Sequence, residues 1–167
     1  GNQELRPRAG HRAVLALIQL LVATTDPLQG VEAVGDEAGL SAALARLCRV
    51  VRPGSLVFVI SDFHALDGDA FAQLARLRRH NDVIALQILD PIEVEAPPPG
   101  RYAIRDAVGD GVLDLRSAAS RRDYERELAV REERLQTGLV QAGIPLLRLL
   151  TTDRIEQFTE FIRRVNA

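Results

Sequence analysis

The chain has no lysine, no methionine and no tryptophan, and a single cysteine. All 21 residues counted as Lys+Arg are arginine. Without lysine there is neither a Walker-A Gly-Lys-Ser/Thr loop nor a Schiff-base amine. One thiol, Cys48, makes no internal disulfide and no cysteine-based zinc site, which suits a reducing compartment and predicts a cytoplasmic home. Aromatic residues are 4 % and the net charge is −2, so neither a base-stacking platform nor a phosphate-binding field is expected, and no nucleic-acid partner. The longest mainly apolar stretch, 13–23, is about half of the roughly 20 residues that a membrane span needs. No secretory signal is visible. The opening Gly-Asn-Gln, without methionine, predicts a fragment of a longer protein.

What remains is enough for one domain spanning 1–167, with 47 % apolar residues to build a core. "HRAVLALIQLLVA" (11–23) is apolar almost all round and predicts a buried helix. "TTDPLQGVEAVGDEAG" reads as a loop. Leu40, Leu44, Leu47 and Val51 then recur at helical spacing, and Cys48 falls on that helix as a core residue rather than a nucleophile. "SLVFVI", "DVIALQILD" and "IPLLRLL" are unbroken apolar strands without polar alternation, which predicts burial on both faces. A helix with Phe71, Leu74 and Leu77 on one face and Arg78, Arg79 and His80 at its end separates the first two.

"RYAIRDAVGDGVLDLR" alternates around Gly109-Asp110-Gly111 and predicts a β-hairpin, with Asp106, Asp110 and Asp114 as turn formers. Ser120 and Asp123 have capping-box spacing and open a long charged helix to about Ala142, laced by pairs such as Glu127–Arg131. Asp153 would cap a last helix bearing Ile155, Phe158, Ile162 and Val165. Strands alternating with helices define an α/β class: a partly parallel, Rossmann-like open sheet with helices on both faces, plus the hairpin.

"SDFHALDGD" (61–69) carries the residues with most chemical promise. Asp62 and His64, with Gly68-Asp69, have the look of a two-metal phosphoesterase. That reading needs more ligands than three histidines supply, and no Gly-Asn-His-Glu follows. A plainer reading ends the strand at Asp62, turns through 63–68 and caps the next helix with Asp67 or Asp69. A third places Asp62 at the carboxyl end of a parallel strand, where open α/β sheets bind ligands, as one oxygen ligand of a Mg²⁺-type site. A metal-dependent hydrolase using Asp62 and His64 is the enzymatic alternative. A receiver- or nucleotide-binding-like fold is a further one, weakened by the missing glycine-rich loop and lysine.

"LRPRAGHRAVLALIQLL", "SLVFVISDFHALDGD", "ALQILDPIEVEAPPPGRYAIRDAVGDGVLDL" and "GIPLLRLLTTD" together resemble the C-terminal part of the domain-of-unknown-function 58 family. These are bacterial proteins with a von Willebrand factor A-like domain, often encoded beside MoxR-type AAA+ ATPases. The resemblance implies a non-catalytic protein–protein interaction module that works with such an ATPase, in chaperone-like complex assembly. It implies a truncated von Willebrand A-like sheet of order 3-2-1-4-5-6. "SLVFVI" would be the fourth strand, flanked by "VIALQIL" and "IPLLRLL", and residues 1–8 a remnant of the third. Asp62 matches the last aspartate of the metal-ion-dependent adhesion site. The Asp-x-Ser-x-Ser motif is absent and only Ser41 stands near the expected threonine, so this chain is expected to hold no cofactor, with Mg²⁺ reserved for the intact parent. Ser61, His64, Asp67 and Asp69 would surround Asp62 as a binding surface. An uncovered strand edge predicts a homo-oligomer.

Overall fold

The computed structural model describes residues 11–24, 39–105 and 110–154. In chain order they form α1 (His11–Thr24), α2 (Gly39–Val50), β1 (Leu56–Ser61), α3 (Gly68–Arg78), β2 (Asp82–Leu89), a 3-10 turn (Pro91–Glu93), β3 (Arg101–Arg105), β4 (Asp110–Asp114), α4 (Ala118–Gln141) and β5 (Leu146–Leu150). The described residues fall into two compact units, one with α1 and the outer end of the β3–β4 hairpin, the other with the remainder. Strands β1, β2 and β5 make a parallel sheet in that order, in register Leu56↔Asp82 and Ala85↔Leu146. The fold is therefore α/β, a three-stranded parallel sheet flanked by helices with a separate hairpin. No helix among the described residues is long and apolar enough to cross a membrane.

The core lies where Val57, Val59, Val83 and Ala85 share one face of the sheet. Leu44 of α2, Leu74 and Leu77 of α3, and Leu135 and Leu139 of α4 pack on them. Cys48 joins from α2, partly buried, its thiol 3.5 Å from the Gln73 carbonyl. Polar groups pin the bottom of this layer. Asn81, buried, accepts from Ser55 N (3.1 Å) and donates to Leu77 O (3.0 Å), tying the start of β1 to the end of α3. Arg78 reaches from α3 to the Gly143 carbonyl at 3.0 Å. Gly143, at φ +65°, takes the left-handed position that ends α4.

Several expectations are corrected. The "SLVFVI" strand is not buried on both faces: Val57 and Val59 are buried, whereas Leu56, Phe58 and Ile60 are exposed. As the marginal strand it pairs with β2 and has its other flank without a partner among the described residues. "IPLLRLL" (β5) lies beyond β2 instead of beside β1 and is only partly buried, whereas central β2 buries residues of both faces. Helix α1, in the other unit, leaves Val14, Leu15, Leu17 and Ile18 exposed instead of buried. The long helix is capped by Ser117, three residues before Ser120, whose amide donates to Ser117 Oγ at 3.0 Å. Asp110 and Gly111 are strand residues of β4, not the hairpin's turn. Residues 1–8, Asp106, Gly109 and the helix expected from 155 onward lie outside the described residues.

Candidate functional site

The strand β1 stops where its apolar alternation meets Ser61 and Asp62. Ser61 Oγ accepts from Phe63 N and Asp62 Oδ1 accepts from His64 N, both at 3.0 Å. These two bonds hold Phe63 at φ +60°, a left-handed conformation that costs a non-glycine residue about 1–2 kcal/mol. Burial of the ring, 3 % exposed, offsets that cost. The chain then turns, and Asp67 caps α3 by accepting from Ala70 N at 2.7 Å. Asp69 lies in the first helical turn, where an acidic group complements the helix dipole. Of the five predicted site residues, Ser61, Asp62 and Asp67 serve the local backbone.

His64 is the exception, because its ring reaches beyond its own loop. Its Nε2 lies 2.5 Å from Glu93 Oε1, and Arg131 Nη1 stands 3.2 Å from Nε2 and 3.3 Å from Nδ1. A carboxylate only accepts, so Nε2 donates to Glu93, while the Arg131 guanidinium, nearly equidistant from both ring nitrogens, stands against the ring. Glu93 is itself fixed by a capping box after β2. Its Oε2 accepts from Asp90 N (2.7 Å) while Asp90 Oδ1 accepts from Ile92 N (3.1 Å). Tyr124 of α4 donates to Ile92 O at 2.7 Å. Burial raises the Tyr124 phenol above its ordinary range, and the charge of Glu93 raises it further. Beside this group, buried Gln87 of β2 accepts from Arg148 Nε of β5 at 3.2 Å, and Arg148 pairs with Glu132 of α4.

These side chains surround a small cavity of about 180 Å³ at the carboxyl ends of the parallel strands. Asp62, His64, Gln87 and Glu93 line it from the strand ends, and Arg131 and Glu132 from α4. The location agrees with the ligand end of open α/β sheets. The residues present do not fit a Mg²⁺ site. Near-octahedral oxygen coordination needs several carboxylate or carbonyl ligands. Among the described residues no group of three or more His, Cys, Asp or Glu is placed to hold a metal ion. Asp62 Oδ1 is engaged by the His64 amide and the Ser61 hydroxyl.

Sequence reasoning missed Glu93, Arg131, Gln87, Arg148 and Glu132. For Glu93 a signal existed, because Asp90-Pro91-Ile92-Glu93 has capping-box spacing with proline at the first helical position. The expected Glu127–Arg131 pair is replaced by the contact of Arg131 with His64, while Arg126 bonds Asp123 at 2.7 Å.

A family model described as "Protein of unknown function DUF58" matches residues 2–134. Curated relatives include an uncharacterised protein of Mycobacterium tuberculosis, 29 % identical over 118 residues, which are 70 % of this chain and 37 % of that protein. An uncharacterised protein of Mycobacterium avium is 28 % identical over 134 residues, 78 % of each chain. A protein of Beutenbergia cavernae named cysteine–tRNA ligase is 36 % identical over 121 residues, 71 % of this chain but 25 % of that one. The chain thus spans a quarter of the Beutenbergia protein and under two fifths of the M. tuberculosis protein. No solved structure matches.

Proposed function

The chain belongs to the DUF58 family of proteins of unknown function, and from that premise we propose that it is a non-catalytic protein–protein interaction module. In this reading it is part of a bacterial von Willebrand A-like protein that works with a MoxR-type AAA+ ATPase in assembling protein complexes. The observation that carries the reading is the β1-β2-β5 order, all parallel, with β1 at the margin and Asp62 at its carboxyl end. That is the arrangement expected of the last three strands of a von Willebrand A-like sheet.

Two further features support it. The polar groups at the strand ends are engaged with one another: His64 with Glu93 and Arg131, and Glu132 with Arg148. Such a network shapes a surface instead of freeing a nucleophile or base. The outer edge of β1 also has no partner among the described residues, and an open strand edge invites another strand. A second copy pairing there would make the homo-oligomer.

The test is association of the full-length protein with a MoxR-type ATPase, measured by biolayer interferometry with and without Mg²⁺. Saturable binding weakened by Asp62→Ala supports the reading. No binding in either buffer removes the ATPase from it. Light scattering across a concentration series addresses the second copy, and a monomer throughout would exclude it.

A further inference from the structure

A groove runs between α3 and α4, sharing His64 and Arg131 with the strand-end cavity. One half, about 410 Å³, has Phe63, Leu66 and Leu135 among its walls. The other, about 690 Å³ and open to solvent, is walled by Ala72, Ala75, Thr137 and Gly138. Three side chains line both halves: Phe71, Val130 and Arg134. The middle of the groove is therefore a ring, an exposed valine and a guanidinium.

The charges around it are unequal in commitment. Arg126 is bonded to Asp123 and Arg131 stands against His64. Arg134 is exposed and makes no hydrogen bond or ion pair among the described residues. Glu127 lines only the first half and Glu133 only the second. The one charge at the centre is thus positive and unpaired, over an apolar floor. A guanidinium takes a carboxylate in a two-pronged hydrogen bond, a geometry that ammonium donors lack. The first half is of the size that seats small ligands or a few side chains. It ends at Phe63, whose left-handed backbone is the strained position of the loop, and such strain gathers at binding sites.

We propose that this groove docks a short segment of a partner protein bearing a bulky apolar side chain and, within a helical turn of it, a carboxylate. The apolar side chain sits on Phe71 and Val130, and the carboxylate on Arg134. This rests on the interaction-module reading and names the chemistry of what is bound. A nucleic acid is disfavoured, because one free guanidinium cannot follow a run of phosphates.

The experiment titrates the ¹⁵N-labelled full chain with the synthetic peptide acetyl-Phe-Leu-Ala-Glu-Leu-amide and with its counterpart carrying Gln for Glu. Saturable amide shifts are expected on α3 and α4 along the groove. The Gln peptide should bind on the order of five-fold more weakly, as befits one exposed charge pair. Arg134→Ala should erase that difference, whereas Val130→Ala should weaken both peptides alike; both side chains are exposed, so the fold is retained. Equal affinity of the two peptides, shifts outside the groove, or tighter binding of a single-stranded oligonucleotide would each overturn the proposal. If the ATPase fails to bind while the peptide binds as described, the module's named partner falls and the groove stands. If Arg134→Ala abolishes peptide selectivity but leaves ATPase association unchanged, the groove serves another client.

Discussion

Replacing Gly138 by alanine should change sign according to what stands at position 71. Gly138 is in α4, and a Cβ there would fall within the Phe71 ring, nearest Cε1 and Cζ and 2.7 Å from Cδ1. Carbon atoms separate to about 3.5 Å or more, so the ring or the helix must move. Against that stands helix propensity, which favours alanine over glycine by about 1 kcal/mol. Overpacking costs about 1–3 kcal/mol, so the net effect in the wild-type background is about 0–2 kcal/mol of destabilisation. In a Phe71→Ala background the obstruction is gone, and the same substitution should stabilise by about 1 kcal/mol. The coupling between the two positions is then about 1–3 kcal/mol. Urea unfolding followed by far-UV circular dichroism reads it directly, the chain having no tryptophan to report by fluorescence. If Gly138→Ala stabilises equally in both backgrounds, the ring yields without cost, and close approach of α3 and α4 is not why glycine is needed.

Phe63→Gly should destabilise less than Phe63→Ala by about 1 kcal/mol, because both lose the buried ring but only glycine adopts φ +60° freely; the reverse order in urea melts would refute the strained backbone. Asp67→Ala should cost about 1 kcal/mol through the lost cap, and Asp69→Ala only a few tenths; equal losses would contradict the assignment of the cap to Asp67. The Asp114 carboxyl is held down at about 2, first by the side-chain hydrogen bonds of Arg116. A depressed carboxylate keeps its contact above its unfolded value of about 4 and loses it as pH falls through about 2. Carbon-detected NMR titration should find that midpoint, and Arg116→Ala should move it up toward the ordinary range. Calorimetric titration of this chain with Mg²⁺ or Mn²⁺ should give no saturable heat; tight binding lost in Asp62→Ala would favour the metal-dependent hydrolase instead.

The three parallel strands were legible because each is a short apolar run bounded by turn residues, and their lengths exclude helices. The cap of α3 was legible as one of two aspartates, Asp67 or Asp69, and the bond from the Ala70 amide settles it on Asp67. What was not legible depended on contacts between distant segments. The sequence shows "SLVFVI" and "DVIALQIL" as equally apolar, yet one is marginal and the other central, a difference that only pairing creates. Likewise His64 and Arg131 lie 67 residues apart, and nothing in either neighbourhood foretells their contact. The start of the long helix was misplaced by three residues because "SAAS" offers two serines. The first wins, since its hydroxyl accepts from the amide of the second.

The same loop serves two surfaces, and this follows from one backbone choice. An extended residue at position 63 would point its side chain differently from the buried direction that φ +60° permits. With Phe63 turned into the core, its ring helps wall the groove, while the next residue, His64, faces Glu93 and the strand-end cavity. His64 lines both spaces, and so does Arg131. The strand-end network and the α3–α4 groove therefore share two side chains joined by one contact.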